Sequence, residues 1–526
     1  MRRQASDTKI LVIGAGIGGL ATALRLAGAG HAVQVVEATG GPGGKLRTVP
    51  SVAGPVDAGP TVMTLRPVFE SLFASVGLNL SDYVTTVAEP LLARHWWPDG
   101  STLDLFADAD SSAQAVRDFG GARAEQDFRD FHRKTRKLFQ AFEKPVMQSA
   151  QVDIAGILAA CLKNPSILPT LMPGQSLSHS LASSFEDTRL QQLFARYATY
   201  VGGSPFQSPA LLSLIWQAES GGVWRVDGGM SALARGVERA AKSLGAIFEY
   251  GAPVERIVSR ESGFEIALSD GTARTADRVV FNGDPAALYR GLLGPDMTSA
   301  VTRRGVSPRS LSAYVWSFAA QPSGRDLAHH NVFFNEDYRR EFDAIAREEM
   351  PKDATLYICA QDRGDGLNPH GPERFEIIMN AAPKTGTTDR DPEEYEACLT
   401  RVFTALSRHG LEFDTLPARS CLTTPSDFAA RFPGSDGSLY GRSPHGTMAA
   451  FHRPGVRSAI PGLYLAGGGV NPGAGLPMAA TSGRLAAEEI LTDLASISRS
   501  RRTVTHGGMS MDYRMTAGTA SRSSPS

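Results

Sequence analysis

Residues 9–20 read KILVIGAGIGGL, and this stretch decides the fold. A short apolar run predicts a buried β-strand, and it leads directly into a Gly-x-Gly-x-x-Gly turn at Gly14, Gly16 and Gly19. In such a turn the first glycine permits the tight bend, the second lets the backbone approach a pyrophosphate, and the third lets the following helix pack closely. The free N–H groups at the start of that helix attract phosphate. The stretch therefore predicts a dinucleotide-binding fold.

A second predicted strand, AVQVVE at residues 32–37, ends in an acid. Glu37 follows Gly14 by 23 positions, close to the roughly 20 expected for the carboxylate that binds a ribose hydroxyl. Strand, turn, helix and strand then form one nucleotide-binding unit. The alternative is a glycine-rich turn without a ligand.

Length and composition limit the possible functions. The 526 residues suffice for two or three domains, and the 53 basic residues nearly balance the 54 acidic ones. A net charge near zero argues against a nucleic-acid partner. The sequence contains no run of 18 or more apolar residues, so it predicts no membrane-spanning helix. The four cysteines show no ligand spacing, so we expect neither a metal site nor a disulfide framework.

A second glycine-rich turn lies near the other end of the chain. Residues 462–466, GLYLA, predict a strand that enters GGGVNPGAGLPM at residues 467–478, and a helix is predicted over 478–491. A second strand-to-helix turn supplies further backbone N–H groups for a phosphate, ribityl or flavin oxygen. The candidate residues there are Gly468, Gly469, Pro477 and Met478.

Residues 43–48, GGKLRT, separate the possible cofactors. They resemble the second signature of the amine-oxidase and carotenoid-desaturase superfamily of flavoproteins. This resemblance implies FAD, with Gly44 and Lys45 against its phosphates, on a Rossmann-like α/β domain into which a mixed α+β substrate domain is inserted. It also implies that the segment DAGPTV at 57–62 passes along the flavin ring, and that the backbone at Val254 lies beside the adenine. The ring-lining residues would be Gly59, Pro60, Thr61 and Val62.

The resemblance narrows to bacterial carotenoid and phytoene desaturases over nearly the whole chain up to about residue 495. The turn at 467–478 is similar to their Pro-Gly-Ala-Gly-x-Pro ending, with Asn471 where a His is frequent. Segments 57–62, 281–285 and 476–480 are most similar to 1-hydroxycarotenoid 3,4-desaturases. The family implies hydride transfer from an acyclic, 1-hydroxylated carotenoid to the flavin. An extended polyene spreads the developing positive charge, so a strong protein base is not required.

The composition predicts a discontinuous domain arrangement. We expect the FAD domain at 1–85, 225–300 and 446–495, the substrate domain at 86–224 and 301–445, and a disordered tail at 496–526. That tail is rich in Ser, Arg, Thr and Gly with few large apolar residues.

Candidates for catalysis and substrate contact come from the middle of the chain. Glu219 is the candidate proton acceptor or hydroxyl anchor, and a solvated helix residue is its alternative. His95, beside two tryptophans, is a further candidate. Bulky aromatic residues that could line a polyene tunnel, with ordinary core as the alternative for each, are Trp96, Trp97, Tyr200, Phe206, Trp216 and Trp224.

A carotenoid lives in the membrane, so an entry surface is expected. The apolar stretches 154–162 and 167–172 are too short to span a bilayer but could enter its interface; a core helix is the alternative. With no apparent secretion signal, we predict a cytoplasmic protein attached peripherally to the inner membrane. Oxygen or a membrane quinone would accept the electrons.

Four other functions stay open from the sequence. Phytoene desaturases and carotenoid isomerases or saturases share the motifs. A flavin amine oxidase shares the N-terminal ones, although no cysteine lies near the C-terminal turn for a covalent flavin link. A non-catalytic prenyl-lipid escort protein has the same fold without flavin, but the intact pyrophosphate motif and Lys45 argue against it.

Overall fold

The structure is a computed structural model that describes residues 6–167, 174–367, 369–384 and 392–504. Its strands are β1 (Ser6–Ile13), β2 (His31–Glu37), β3 (Thr48–Val49), β4 (Val56–Asp57), β5 (Met63–Thr64), β6 (Thr86–Glu89), β7 (Leu91–Trp96), β8 (Thr102–Phe106), β9 (Val223–Val226), β10 (Ile247–Tyr250), β11 (Val254–Arg260), β12 (Gly263–Leu268), β13 (Ala273–Ala276), β14 (Arg278–Phe281), β15 (Ser312–Ala320), β16 (Pro322–Ser323), β17 (His330–Phe333), β18 (Leu356–Ala360), β19 (Glu373–Ala381), β20 (Glu412–Phe413), β21 (Leu422–Thr423) and β22 (Leu463–Leu465).

Its α-helices are α1 (Ile17–Gly28), α2 (Arg66–Ala74), α3 (Ala109–Phe142), α4 (Ile154–Lys163), α5 (Leu177–Ala182), α6 (Thr188–Ala195), α7 (Ile215–Ser220), α8 (Met230–Ser243), α9 (Pro285–Tyr289), α10 (Arg303–Val306), α11 (Tyr338–Ala346), α12 (Pro392–Arg408), α13 (Pro425–Arg431), α14 (Ala449–His452) and α15 (Leu476–Val504). Helix α3 is interrupted at Gly121, whose φ of 83° is not helical. Within the described residues, no helix is both long and apolar enough to cross a membrane.

A five-stranded parallel sheet forms the nucleotide-binding part, in the order β10-β2-β1-β14-β22. Helices cover it, so its strands are apolar on both faces; Leu11 and Val12 of β1 are almost fully buried. Helix α1 packs against α8 and α15. The Rossmann-like fold predicted from the opening stretch is confirmed.

A seven-stranded mixed sheet, in the order β21-β15-β19-β18-β17-β7-β8, forms the second large layer. It joins strands from 91–106 to strands from 312–423, so two distant parts of the chain share one sheet. One face packs on a core that includes Trp316, Phe375 and Ile377. The predicted domain boundaries within this arrangement stay a prediction.

Helix α15 extends past residue 496, where the disordered tail was expected to begin, and the disordered tail itself stays a prediction. Helix α15 continues without interruption to Val504, and residues 505–526 lie outside the described residues. The reason is that a helix already nucleated by a packed segment gains one backbone hydrogen bond for each further residue, and needs no apolar side chains to do so.

Candidate active site

A cavity of about 1760 Å³ runs between the parallel sheet and the seven-stranded sheet. It is lined by every predicted cofactor residue except Gly19, and by Tyr200 and Glu219. The structure thus brings together motifs from residues 14–62, from residue 254 and from residues 468–478. Their individual contacts with FAD stay predictions.

The first glycine turn is held tightly where β1 meets α1. Gly14 has a φ of 97°, which favours glycine. A methyl group on Gly16 would lie 2.8 Å from the Asn282 amide nitrogen, and one on Gly19 would lie 2.1 Å from the Gly14 carbonyl. Gly19 is therefore needed so that helix α1 can pack closely against the turn at Gly14. Helix α1 has no side-chain cap, so its first N–H groups remain available for a phosphate.

Glu37 lies at the end of β2, almost fully buried at the cavity wall. One carboxyl oxygen accepts a 2.7 Å hydrogen bond from the Ala15 amide, and the other accepts 2.8 Å bonds from the amide and hydroxyl of Thr39. These bonds fix the carboxylate beside the glycine turn. A carboxylate has about four acceptor sites, so it retains capacity for a ribose hydroxyl.

Two partly buried cations line the cavity between the two glycine turns. Lys45 donates a hydrogen bond to the Leu439 carbonyl, and Arg453 donates one of 2.7 Å to the Gly468 carbonyl. Burial lowers the pKa of Lys45 to about 8, and the nearby Arg309 and Arg453 oppose its charge while Asp284 supports it. Burial and neighbouring arginines also lower the pKa of Arg453 to about 10. An anion bound here would be favoured, because its negative charge would stabilise the positive charges of both Lys45 and Arg453.

The second glycine turn touches the first one directly. A methyl group on Gly18 would lie 2.6 Å from the Gly467 nitrogen, and one on Gly467 would lie 2.9 Å from the Asn282 carboxamide oxygen. Gly468, Gly469, Pro477 and Met478 follow along the cavity wall to the start of α15. The two turns therefore form one continuous backbone cradle.

The segment at 57–62 crosses the middle of the cavity. The Asp57 carboxylate accepts hydrogen bonds from the Met230 and Ser231 amides at the start of α8. Beyond it, Gly59, Pro60, Thr61 and Val62 all face the cavity. A methyl group on Gly59 would lie 1.9 Å from the Lys45 carbonyl, so no residue larger than glycine fits at this position.

Glu219 belongs to a buried polar network at the cavity wall. Its two carboxyl oxygens accept hydrogen bonds from the hydroxyls of Tyr197 at 2.9 Å and Tyr200 at 2.7 Å, and Arg196 approaches to 3.7 Å. Glu219 is 3% exposed, so the alternative of a solvated helix residue is excluded. The carboxylate is already occupied by protein donors, and its catalytic role stays a prediction.

Five of the six aromatic tunnel candidates do not line the cavity, and their contact with a substrate stays a prediction. Trp96 stacks on Phe333, and Trp97 stacks on Phe334. The others pack in separate places: Trp216 donates to His132, Phe206 contacts Phe342, and Trp224 covers Gly222. The physical reason is that a large aromatic ring gains as much by filling a protein core as by facing a ligand. Tyr200 alone of the six faces the cavity.

His95 is also a core residue. It is fully buried, its Nδ1 lies 3.0 Å from the Leu103 carbonyl, and burial lowers the pKa of its imidazole to about 3. It does not line the cavity.

Three buried side chains of types that can bind a metal lie close together, although the sequence predicted no metal site. Ligand atoms of His329, His330 and Cys359 lie within 4.8 Å of one another. However, the Cys359 sulfur lies 3.6 Å from His329 Nε2, within hydrogen-bond distance for sulfur. His330 Nδ1 instead lies 2.7 Å from the Tyr357 hydroxyl, and His329 Nδ1 lies 2.5 Å from the Arg363 carbonyl. We therefore assign no metal here.

Comparisons with known proteins agree with this geometry. The profile of the family described as flavin containing amine oxidoreductase matches residues 17–491. The chain belongs to this flavin amine oxidoreductase family. It is also 54% identical to a hydroxyneurosporene desaturase of Cereibacter sphaeroides, over 93% of this chain and 99% of that one, and 47% identical to the one of Rhodobacter capsulatus, over 94% and 100%. An oxidoreductase of Methanosarcina mazei has a similar fold, with a TM-score of 0.58 at 17% identity over 92% of this chain and 100% of that one.

As a member of the flavin amine oxidoreductase family, the protein uses FAD, as the sequence predicted. The cavity fits this cofactor by its own chemistry. An uncapped helix start and the cations Lys45 and Arg453 suit a diphosphate, Glu37 suits a ribose, and the glycines leave room for a flat ring.

Three residues that were not predicted from the sequence also line the cavity. Arg453 has no motif of its own. Tyr357 and Glu376 lie on neighbouring strands β18 and β19 and face the cavity. Of the three, only Glu376 could have been noticed in the sequence, because an acidic residue is unusual within an apolar run such as FEIIM at 375–379.

Proposed function

We propose that this protein is an FAD-dependent desaturase that forms the 3,4 double bond of an acyclic, 1-hydroxylated carotenoid. The observation that carries this proposal is the 54% identity to a hydroxyneurosporene desaturase over nearly the full length of both chains. FAD, when bound, supplies the hydride acceptor. A proton must also leave the neighbouring carbon, and the polyene spreads the developing positive charge.

The size and lining of the cavity support a long apolar substrate. At about 1760 Å³ it exceeds the roughly 300–1,000 Å³ typical of a pocket for one small ligand. Away from the glycine turns, one part of its wall is apolar. Residues in this part include Phe139, Phe142, Val146, Met147, Val152, Ile157, Leu211, Leu212, Leu214, Ile215, Met448 and Phe451. This chain would align the reacting bond by gripping the polyene along its length.

We further propose that α4 rests on the membrane surface. Ile154, Leu158 and Leu162 are 60%, 60% and 82% exposed and repeat every four residues, so they form one apolar helix face. On an adjacent face of the helix, about 100° around the axis, Ile157 lines the cavity. A carotenoid leaving the bilayer at α4 would therefore reach the cavity directly. Residues 168–172 of the predicted entry surface lie outside the described residues.

The same proposal places the protein peripherally on the inner membrane, with oxygen or a membrane quinone as electron acceptor. An anaerobic assay with and without added quinone distinguishes the two acceptors.

The substrate class is tested by expression in cells that make different acyclic carotenoids. We expect a longer polyene only where a 1-hydroxylated carotenoid is present. Unchanged pigment in every strain would overturn the proposal, and turnover of an amine with release of peroxide would favour the amine-oxidase alternative.

A further inference from the structure

Glu376 is a buried carboxyl group whose oxygens lie beyond hydrogen-bond distance of the described donors, with the Thr61 hydroxyl close enough to affect its pKa. It is fully buried in the middle of β19, it lines the cavity, and neither of its carboxyl oxygens makes a hydrogen bond. Burying such a group without a partner costs about 1–3 kcal/mol. Among the described residues that line the cavity, only Glu376 and Arg196 have buried side-chain polar atoms without a partner.

The surroundings of Glu376 determine its protonation. Burial raises the pKa of its carboxyl well above the usual value, and the Asp57 carboxylate adds to this, whereas Arg47 and the Thr61 hydroxyl act in the opposite direction. Burial therefore favours the neutral carboxylic acid, which offers one O–H donor and one carbonyl acceptor. This pair of groups complements an alcohol, which likewise offers one donor and one acceptor.

Its position in the cavity agrees with such a partner. Glu376, Ile378 and Asn380 alternate along β19 and all face the cavity. Across β18, the Tyr357 hydroxyl lies 2.8 Å from the Thr61 hydroxyl, so this polar patch adjoins the segment expected to pass along the flavin ring. In a 1-hydroxylated carotenoid a single carbon separates C1, which bears the hydroxyl, from the bond between C3 and C4. An anchor for that hydroxyl must therefore lie close to the flavin.

We propose that Glu376 binds the 1-hydroxyl of the substrate through a pair of hydrogen bonds and so selects which bond reaches the flavin. This inference rests on the proposed function and deepens it. It assigns the hydroxyl anchor to Glu376 rather than to Glu219, whose oxygens already accept bonds from Tyr197 and Tyr200.

The test compares one 1-hydroxylated carotenoid with the same carotenoid lacking the hydroxyl. For each pigment, kcat/KM is measured with FAD-loaded enzyme, and binding is measured by absorption titration in detergent micelles with the flavin reduced beforehand and oxygen excluded, so that no turnover occurs. Glu376→Leu should lower the preference for the hydroxylated pigment at least about tenfold in both measurements, because two hydrogen bonds are lost. Glu376→Gln, which keeps a donor and an acceptor, should retain most of it.

Glu341→Gln is the matched control. Glu341 is also fully buried, but its oxygens accept bonds from Thr355, Asn335 and Asn380, and it does not line the cavity. This variant should keep the wild-type preference.

The outcomes separate the two proposals. An unchanged hydroxyl preference in Glu376→Leu overturns the anchor while the desaturase function stands. Lost FAD or an altered flavin spectrum at unchanged preference would identify Glu376 as a flavin contact instead. If the wild-type enzyme converts neither pigment, the proposed function fails, and the binding titration still decides whether Glu376 recognises the hydroxyl.

Discussion

The side-chain amide of Asn282 donates a 3.2 Å hydrogen bond to the carbonyl of Gly14, although 268 residues separate the two in sequence. Asn282 follows β14, the strand between β1 and β22, and its carboxamide oxygen faces Gly467. One side chain therefore fixes the first glycine turn against the second. The FAD cradle depends on this contact because neither turn alone surrounds a dinucleotide.

Substituting Gly16 tests the cradle. In Gly16→Ala the new methyl group would lie 2.8 Å from the Asn282 nitrogen, and its backbone needs no positive φ, so crowding is the only cost. We expect FAD affinity to fall about 10- to 100-fold, since overpacking costs about 1–3 kcal/mol. Flavin content after purification measures this. Gly40→Ala, with nothing within 4 Å, should keep its flavin; equal flavin content in both variants would contradict the account.

The charge of Lys45 makes FAD binding depend on pH. Its pKa is lowered to about 8 in the protein without cofactor, so the ammonium is lost as the pH rises above 8. FAD affinity should then decrease by up to about tenfold per pH unit, because the diphosphate prefers the protonated lysine. Fluorescence titration of the apoprotein with FAD measures it. In Lys45→Gln the affinity should be lower at pH 7 and this decrease should vanish; a slope equal to wild type would rule out Lys45 as its source.

Glu219 is expected to stabilise the fold. Arg196 and Glu219 have side chains that are only 6% and 3% exposed, so Glu219→Gln leaves a buried arginine without its counter-charge. Removing one partner of a buried pair costs about 3–5 kcal/mol. Chemical denaturation should show a decrease of this order in the free energy of unfolding. Unchanged stability with abolished turnover would instead support the proton-acceptor role.

Membrane attachment should depend on the exposed face of α4. The double variant Leu158→Gln, Leu162→Gln removes two leucines that would each contribute about 1.5 kcal/mol or more when buried in lipid. We expect at least a tenfold decrease in co-sedimentation with liposomes. The control changes two exposed apolar residues elsewhere, Ile247→Gln and Leu416→Gln, and should sediment like wild type. Equal sedimentation of both double variants would refute the α4 contact.

Local patterns were sufficient to predict the nucleotide-binding fold. Apolar runs and glycine turns are short-range signals, and β1, α1 and β2 form where these signals predict them. What the patterns could not show is which distant segments meet, such as Asn282 with Gly14.

Side-chain direction limited the prediction of the substrate region. Trp96 and Trp97 are as large and apolar as tunnel residues, but their rings pack on Phe333 and Phe334. Size alone does not tell whether a ring faces a core or a cavity. Glu376 could be found by the opposite signal, a carboxyl in an apolar strand, although only the fold reveals that it faces the cavity.

The central claim is tested most directly by one anaerobic turnover. The FAD-loaded enzyme is mixed with a 1-hydroxylated acyclic carotenoid in the absence of oxygen, and the flavin and polyene absorption bands are followed together. We predict that the flavin band bleaches while the polyene bands move to longer wavelength, with one double bond formed for each flavin reduced. A flavin that stays oxidised with this carotenoid, yet bleaches with an amine, would contradict the account.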